Sequence, residues 1–259
     1  HKYFELYPSI YEQIPEKRTP KPRGKNTLID CFCRIRTFFL WCYDKKKTQN
    51  RPFDQFRIDE CTYGTPIYIT LEERDKLLDK DLSEYKQVEI QRDIFVFQSL
   101  IGCRIGDLYR MTKRNIIDDA IEYIPRKTKD GNPVTVRVPL NDKAKAILEK
   151  YKDYTGDKIL PFISEQKYND AIKKAFELAE INRIVTILDP LTNEEVKKPL
   201  HEVVSSHMAR RTFIGNIYKK VKDPNLIGAL SGHKEGSKAF NRYREIDEDM
   251  KKELVNLLS

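Results

Sequence analysis

The stretch "SSHMARRTFIGNIYKK" (205–220) sets His207 three residues before Arg210, with Arg211 directly behind. A second histidine, His233, follows Gly232, and Tyr243 stands ten residues further on. The chain has only 4 histidines and one is residue 1, so two of the three internal ones lie in this region. At helical spacing His207 and Arg210 share one face, while Arg211 points roughly 100° away and reads as a structural or backbone contact. Taken alone, the pair also fits a surface helix near an acidic partner. With Tyr243 added, a phosphodiester is the natural substrate. Guanidiniums can hold its non-bridging oxygens and stabilise the extra charge of a pentavalent transition state. Imidazoles can hydrogen-bond those oxygens or move a proton near neutral pH. A tyrosine oxygen can attack phosphorus and stay bound to it, which conserves the bond energy for religation.

Several elements must hold these groups. Residues 206–221 read as a helix whose Ile214, Ile217 and Val221 form a stripe against a core; 223–230 and 247–258 are also helical. Upstream, "TLEERDKLL" (70–78) opens a helix with a capping box, Thr70 three residues before Glu73. "EIQRDIFVFQSLIG" (89–102) is a strongly apolar helix that stops at Gly102, and "RIGDLYRM" (104–111) resumes helically with Ile105 and Leu108 facing inward. "IEYIPRKT" and "PVTVRVPL" are β-rich runs around Lys129-Asp130-Gly131-Asn132, a hairpin signal. Residues 141–152 and 164–181 are helical, and "RIVTILDPLTNEEVKKPL" is irregular or partly strand. The pattern predicts a mostly α domain with a small antiparallel β-sheet.

The N-terminal part has a different texture. Residues 1–26 read as the tail of a longer protein, and "KRTPKPRGKN" fits either an extended arm touching phosphates or a solvated linker. Residues 27–46 carry Leu28, Ile35, Phe38, Phe39 and Trp41 at near-helical spacing, with Thr27 placed to cap the start. One amphipathic helix cannot bury its own stripe, so it needs partners. Residues 50–66 form a connector, which divides the chain into domains 1–62 and 63–259.

The motifs carry a resemblance. "HMARRTF" resembles the HxxR box of the tyrosine recombinases, the phage integrase family. "LSGHKEGSKAFNRY" resembles that family's second histidine and nucleophilic tyrosine, and "LIGCRIGDLYRMT" its first arginine box. "RKTKDGNPVTVRVPL" resembles the β-hairpin that supplies the catalytic lysine. The boxes stand in family order over about 69–246, in a style similar to integrases of bacterial conjugative transposons and related mobile elements. The resemblance implies a catalytic domain preceded by part of a helical, SAM-like core-binding domain, with Phe38 and Trp41 in its core. It implies that Arg104 and Arg210 clamp the scissile phosphate and that His207 assists as acid/base or donor. His233 would bond the phosphate or orient Tyr243, the nucleophile. Lys127, on the strand leading into the hairpin turn, would protonate the leaving 5′ oxygen, with Lys129 as competitor. Asp107 reads as an orienter or as a surface acid, and Tyr218 as packing.

The implied activity is site-specific cleavage and rejoining of double-stranded DNA through a 3′-phosphotyrosyl intermediate, with no metal and no cofactor, for integration or excision of a mobile element. Partners would be three further protomers in a tetramer on paired sites, the C-terminal helix docking in trans, and accessory DNA-bending factors. Two alternatives are a catalytically silent DNA-binding regulator and a type IB topoisomerase-like enzyme. A net charge of +8 suits a polyanionic partner. The 5 cysteines form no CxxC pair, so reduced thiols are expected rather than zinc or disulfides. No apolar run reaches about 18 residues and no signal pattern opens the chain. The expected location is therefore cytoplasmic and nucleoid-associated, without membrane contact. P-loop, Rossmann, HExxH and nucleophile-elbow signatures are absent.

Overall fold

The computed structural model describes residues 22–128, 133–221, 223–232 and 255–256. The chain divides into two units: His1–Gly64 with Thr186–Val196, and Thr65–Val185 with Lys197–Ser259.

In the first unit, helix α1 spans Lys25–Asp44. Gly24, not Thr27, stands at its N-cap, with no side-chain cap, and the Thr27 amide donates to the Gly24 carbonyl at 2.9 Å. Phe38 and Trp41 are 58% and 48% exposed, so the expectation that they are core is corrected. They stack on each other at 6.2 Å, and Phe39, Phe53, Phe56 and Phe32 form a chain of ring contacts beside them. Among residues 22–64 none is fully buried.

The second unit is built around one helix. Helix α2 covers Leu71–Asp79, capped by the reciprocal Thr70–Glu73 box. Helix α3 covers Lys86–Ile101 and every residue from Gln91 to Ile101 is buried, as expected of a helix packed on all sides. Gly102 ends it in the left-handed conformation, φ 68°, a common helix stop. The short helix α4, Ile105–Leu108, follows at once with Arg104 at its N-cap. Leu108 is fully buried, while Ile105 is half-buried. Helices α5 (Asp142–Lys150) and α6 (Glu165–Leu178) are capped by Asn141 and Ser164, and both pack on α3.

Strands β1 (Ile116–Ile117), β2 (Ala120–Tyr123) and β3 (Val136–Pro139) form a sheet in the order β1-β2-β3. All pairing is antiparallel, with Tyr123 opposite Val136 at the last rung. The ladder therefore ends well before the Asp130-Gly131 pair, and residues 129–132 lie outside the described residues. Asp118 and Asp119 (φ 43° and 58°) make the two-residue turn from β1 to β2, the twist that tight hairpins favour. Strands β4 (Ile184–Leu188) and β5 (Glu195–Pro199) pair as a two-stranded sheet, so that stretch is strand in both arms.

Helix α7, Leu200–Val203, leads into α8, Ser206–Val221, and α9, Pro224–Ser231. Helix α8 packs against α3, and Phe213, Ile214 and Ile227 form a cluster with Ile217 and Tyr218 alongside. Val221 is 47% exposed, so the stripe ends one turn earlier than its sequence spacing suggests. The architecture is mostly helical with small antiparallel sheets. No helix among the described residues is long and apolar enough to cross a membrane.

Candidate active site

Arg104, Asp107, Arg126, Lys127 and His207 line one open cleft of about 540 Å³. Arg104 enters it from the N-cap of α4. Its Nη1 is buried and has no hydrogen-bond partner among the described residues. A buried cationic donor left unsatisfied is costly and marks a place where an anion would be bound.

Asp107 joins two of the walls. It is buried, and its Oδ1 accepts from the Arg126 backbone amide at 2.9 Å and from Arg110 Nη2 at 2.8 Å. It is therefore not a surface acid. Its own amide donates to the Arg104 carbonyl at 2.9 Å, so one carboxylate ties the arginine box to the segment carrying Lys127. That segment corrects an expectation. Lys127 sits in a one-turn 3-10 helix, Arg126–Thr128, not on a strand. The ladder stops at Tyr123, Pro125 has no N–H to extend it, and the Asp107 carboxylate captures the next amide instead.

Helix α8 brings His207 to the cleft from its first turn. The α8 start is held by the Ser206 amide donating to Asn169 Oδ1 on α6 at 2.8 Å. Arg210, one turn later, does not line the cleft. It is 2% exposed, and its Nη1 donates to the carbonyls of Gly102 at 2.8 Å and Ser231 at 2.7 Å. Those carbonyls lie at the C-terminal ends of α3 and α9, where the helix dipoles favour a cation. The contact at Gly102 places Arg210 directly behind the segment that carries Arg104. Gly232, φ 66°, closes α9, and an added Cβ there would meet Pro125 Cγ at 3.1 Å and Val136 Cγ2 at 3.2 Å. The chain thus enters the second histidine box against the base of the lysine hairpin. His233, Tyr243 and Lys129 lie outside the described residues.

Cys103 and Tyr123 are held in their neutral forms by burial. Burial pushes the Cys103 thiol up to about 12, against a smaller opposing effect of Arg210. Burial raises the Tyr123 phenol well above its usual range, with Cys103 adding to it. Tyr218 packs on the Phe213 cluster. Among the described residues no group of three or more His, Cys, Asp or Glu is placed to hold a metal ion. Sequence reasoning missed Arg126 as a lining residue; its position beside Lys127 in "PRKT" was the available signal.

The helical unit presents a cleft lined by Arg104, Arg126, Lys127 and His207, and comparison with known proteins gives its family. The profile of the phage integrase family matches residues 68–250, and the chain belongs to that family, the tyrosine recombinases. It is 24% identical over 180 residues to a probable integrase of prophage ps2 from Lactococcus lactis, covering 63% of this chain and 47% of that protein. It is 24% identical over 247 residues to the tyrosine recombinase XerC of Caldanaerobacter subterraneus, covering 92% of this chain and 63% of the relative. The chain thus spans between about half and under two thirds of these relatives' lengths. Among solved structures, the Tn1549 transposon integrase in complex with transposon right end DNA aligns with a TM-score of 0.60 at 16% identity, over 100% of this chain and 84% of that one. A lambda integrase dimer bound to a COC′ core site gives 0.58 at 14% identity, over 94% and 87%. At such identities these structures speak for the fold.

Proposed function

We propose that this protein is a site-specific DNA recombinase of a mobile element, cutting and rejoining strands through a 3′-phosphotyrosyl intermediate without a metal. The observation that carries the reading is the buried Arg104 Nη1, without a hydrogen-bond partner among the described residues, in a cleft shared with Lys127 and His207. Arg104 receives a non-bridging oxygen of the scissile phosphate, and Arg210 supplies the second positive charge from the helix ends behind it. The Tyr243 oxygen attacks phosphorus as its proton passes to His207, the P–O5′ bond breaks, and Lys127 gives its proton to the departing 5′ oxygen. His207 donates to the phosphate or shuttles a proton, and His233 orients the nucleophile. Double-stranded DNA fits the +8 charge, and the relatives solved on DNA support that partner. Residues 1–62 act as part of a DNA-clamping domain, with 63–259 as the catalytic domain. Four protomers assemble on two sites.

A nicked suicide substrate tests this directly, because the cleaved strand diffuses away and traps the covalent complex. The wild-type protein should form an adduct mapping to Tyr243, and Tyr243→Phe should bind the same DNA without forming one. DNA binding with no adduct from the wild type would leave a silent DNA-binding regulator as the reading. An adduct formed by Tyr243→Phe would move the nucleophile elsewhere, Tyr218 first.

A further inference from the structure

Helix α3 is apolar around Phe95, Val96, Phe97, Leu100 and Ile101, yet it carries Gln98 at 0% exposure. The Gln98 side chain has both ends engaged. Its Nε2 donates to the Cys103 carbonyl at 3.2 Å, and its Oε1 accepts from the Tyr168 hydroxyl at 3.2 Å. Tyr168 is itself fully buried on α6. Because a phenol as donor must face the amide oxygen, Tyr168 fixes which way the Gln98 amide points. The Gln98 carbonyl also receives the Gly102 amide at 2.9 Å. One residue therefore holds both members of the Gly102–Cys103 linker, the two residues immediately before Arg104.

We infer that Gln98 and Tyr168 are positioning residues, a buried relay that sets the direction of Arg104 in the cleft. The inference rests on the recombinase reading for what Arg104 does there. Backbone bonds within α3 end at Gly102 and those of α4 begin at Arg104, so the Cys103 carbonyl belongs to neither helix. Among the described contacts nothing else holds it, so without the relay the peptide between Cys103 and Arg104 loses the one hydrogen bond that fixes its carbonyl. A rotation there swings a long guanidinium tip by far more than it moves the backbone. Transition-state contacts are sensitive to displacements of that kind: about 1 Å of misplacement costs on the order of a hundredfold in rate. The neighbouring residue Asn169 holds the α8 start beside His207, so consecutive residues of α6 align two lining residues of one cleft.

The test uses single-turnover cleavage of the nicked suicide substrate at saturating DNA, with DNA affinity and Tm measured alongside. Tyr168→Phe removes one oxygen, and Gln98→Met keeps the side-chain length while removing both polar ends. Each should slow cleavage by about tenfold while leaving DNA affinity unchanged, a displacement smaller than a full ångström at the guanidinium. In an Arg104→Lys background, where no planar fork remains to be aimed, adding either change should cost little more. Wild-type rates for both variants, or an undiminished penalty in the Arg104→Lys background, would overturn the relay. Should Gln98→Met fail to fold, Tyr168→Phe decides alone. If the wild-type protein forms no adduct, the recombinase reading itself falls and the relay's purpose with it; normal wild-type cleavage with unaffected variants removes the relay only.

Discussion

Arg210 donates through Nη1 to two helix-terminal carbonyls, whereas Arg104 keeps a buried Nη1 with no partner among the described residues. Removing them should therefore affect stability in opposite ways. Arg210→Ala strips two charged hydrogen bonds and orphans the Gly102 and Ser231 carbonyls, which should cost about 3 kcal/mol or more. Arg104→Ala deletes an unsatisfied donor and should leave the Tm unchanged or slightly raised. Arg104→Ala should lose strand cleavage by orders of magnitude, in line with about 3 kcal/mol or more for a transition-state charge contact, and Arg210→Ala should lose it through the missing charge behind the cleft and the released Gly102 segment. Thermal melts beside suicide-substrate assays read the two effects separately; equal destabilisation by both variants would contradict the assigned contacts. At Lys127 the issue is a proton. A 5′-bridging phosphorothiolate leaves as a thiolate and needs none, so it should rescue Lys127→Ala, while Lys129→Ala should be mildly affected on either substrate. The reverse pattern would give the role to Lys129. The 3-10 turn that carries Lys127 is held by the Arg126 amide bond to Asp107.

Among the elements, the passage from α3 to α4 concentrates the constraints. An alanine at Gly102 would place its Cβ 2.3 Å from Phe213 Cδ1, at φ 68°, so α8 must yield and the backbone is strained as well. Gly102→Ala should lose about 2–4 kcal/mol in urea melts. Gly106→Ala, with nothing within 4 Å of the added carbon, should stay within about 0.5 kcal/mol of wild type. How much of this was legible depends on where each signal resides. The Thr70–Glu73 box, the Gly102 stop, and the Asn141- and Ser164-started helices are local chemistry, written within a few residues of one another, and they stand where the sequence puts them. The Arg104, Lys127 and His207 boxes could be read as motifs, and the fold brings those three to one cleft. What the sequence could not disclose are the long-range bonds. Asp107 capturing the Arg126 amide turned an expected strand into a helical turn. Arg210 reaching Gly102 and Ser231 put an expected clamp residue behind the cleft. The Asp118-Asp119 hairpin was missed because paired aspartates are a weaker turn signal than Asp-Gly. Phe38 and Trp41 failed as core because periodicity reports an apolar face and says nothing about what covers it.

For the molecule as a whole, charge and assembly are the remaining terms. Arg126 is exposed and lines the cleft, so in the DNA-bound reading it meets a phosphate without being needed for bond breaking. Arg126→Gln should weaken DNA binding and reduce the slope of log K against log salt by about one, while cleavage at saturating DNA changes little; an unchanged slope would exclude the phosphate contact.

The C-terminal stretch "DEDMKKELVNLLS" (247–259) begins with acids suited to a helix start and then repeats apolar residues at Met250, Leu254, Val255, Leu257 and Leu258. Of these, Val255 is described; it is helical and 64% exposed. An exposed apolar side chain on a helix whose sequence repeats apolar residues calls for a cover. In the proposed assembly a neighbouring protomer would supply one, and because the segment begins a few residues past Tyr243, docking there would couple assembly to delivery of the nucleophile. Deleting residues 248–259 should then leave binding to a single DNA site intact, abolish the higher-order complexes on paired sites, and alter cleavage. Native gels and sedimentation with one and two sites read this. A truncated protein that still assembles on paired sites would place the helix on its own domain, and its loss should then appear as a lower Tm for the isolated monomer.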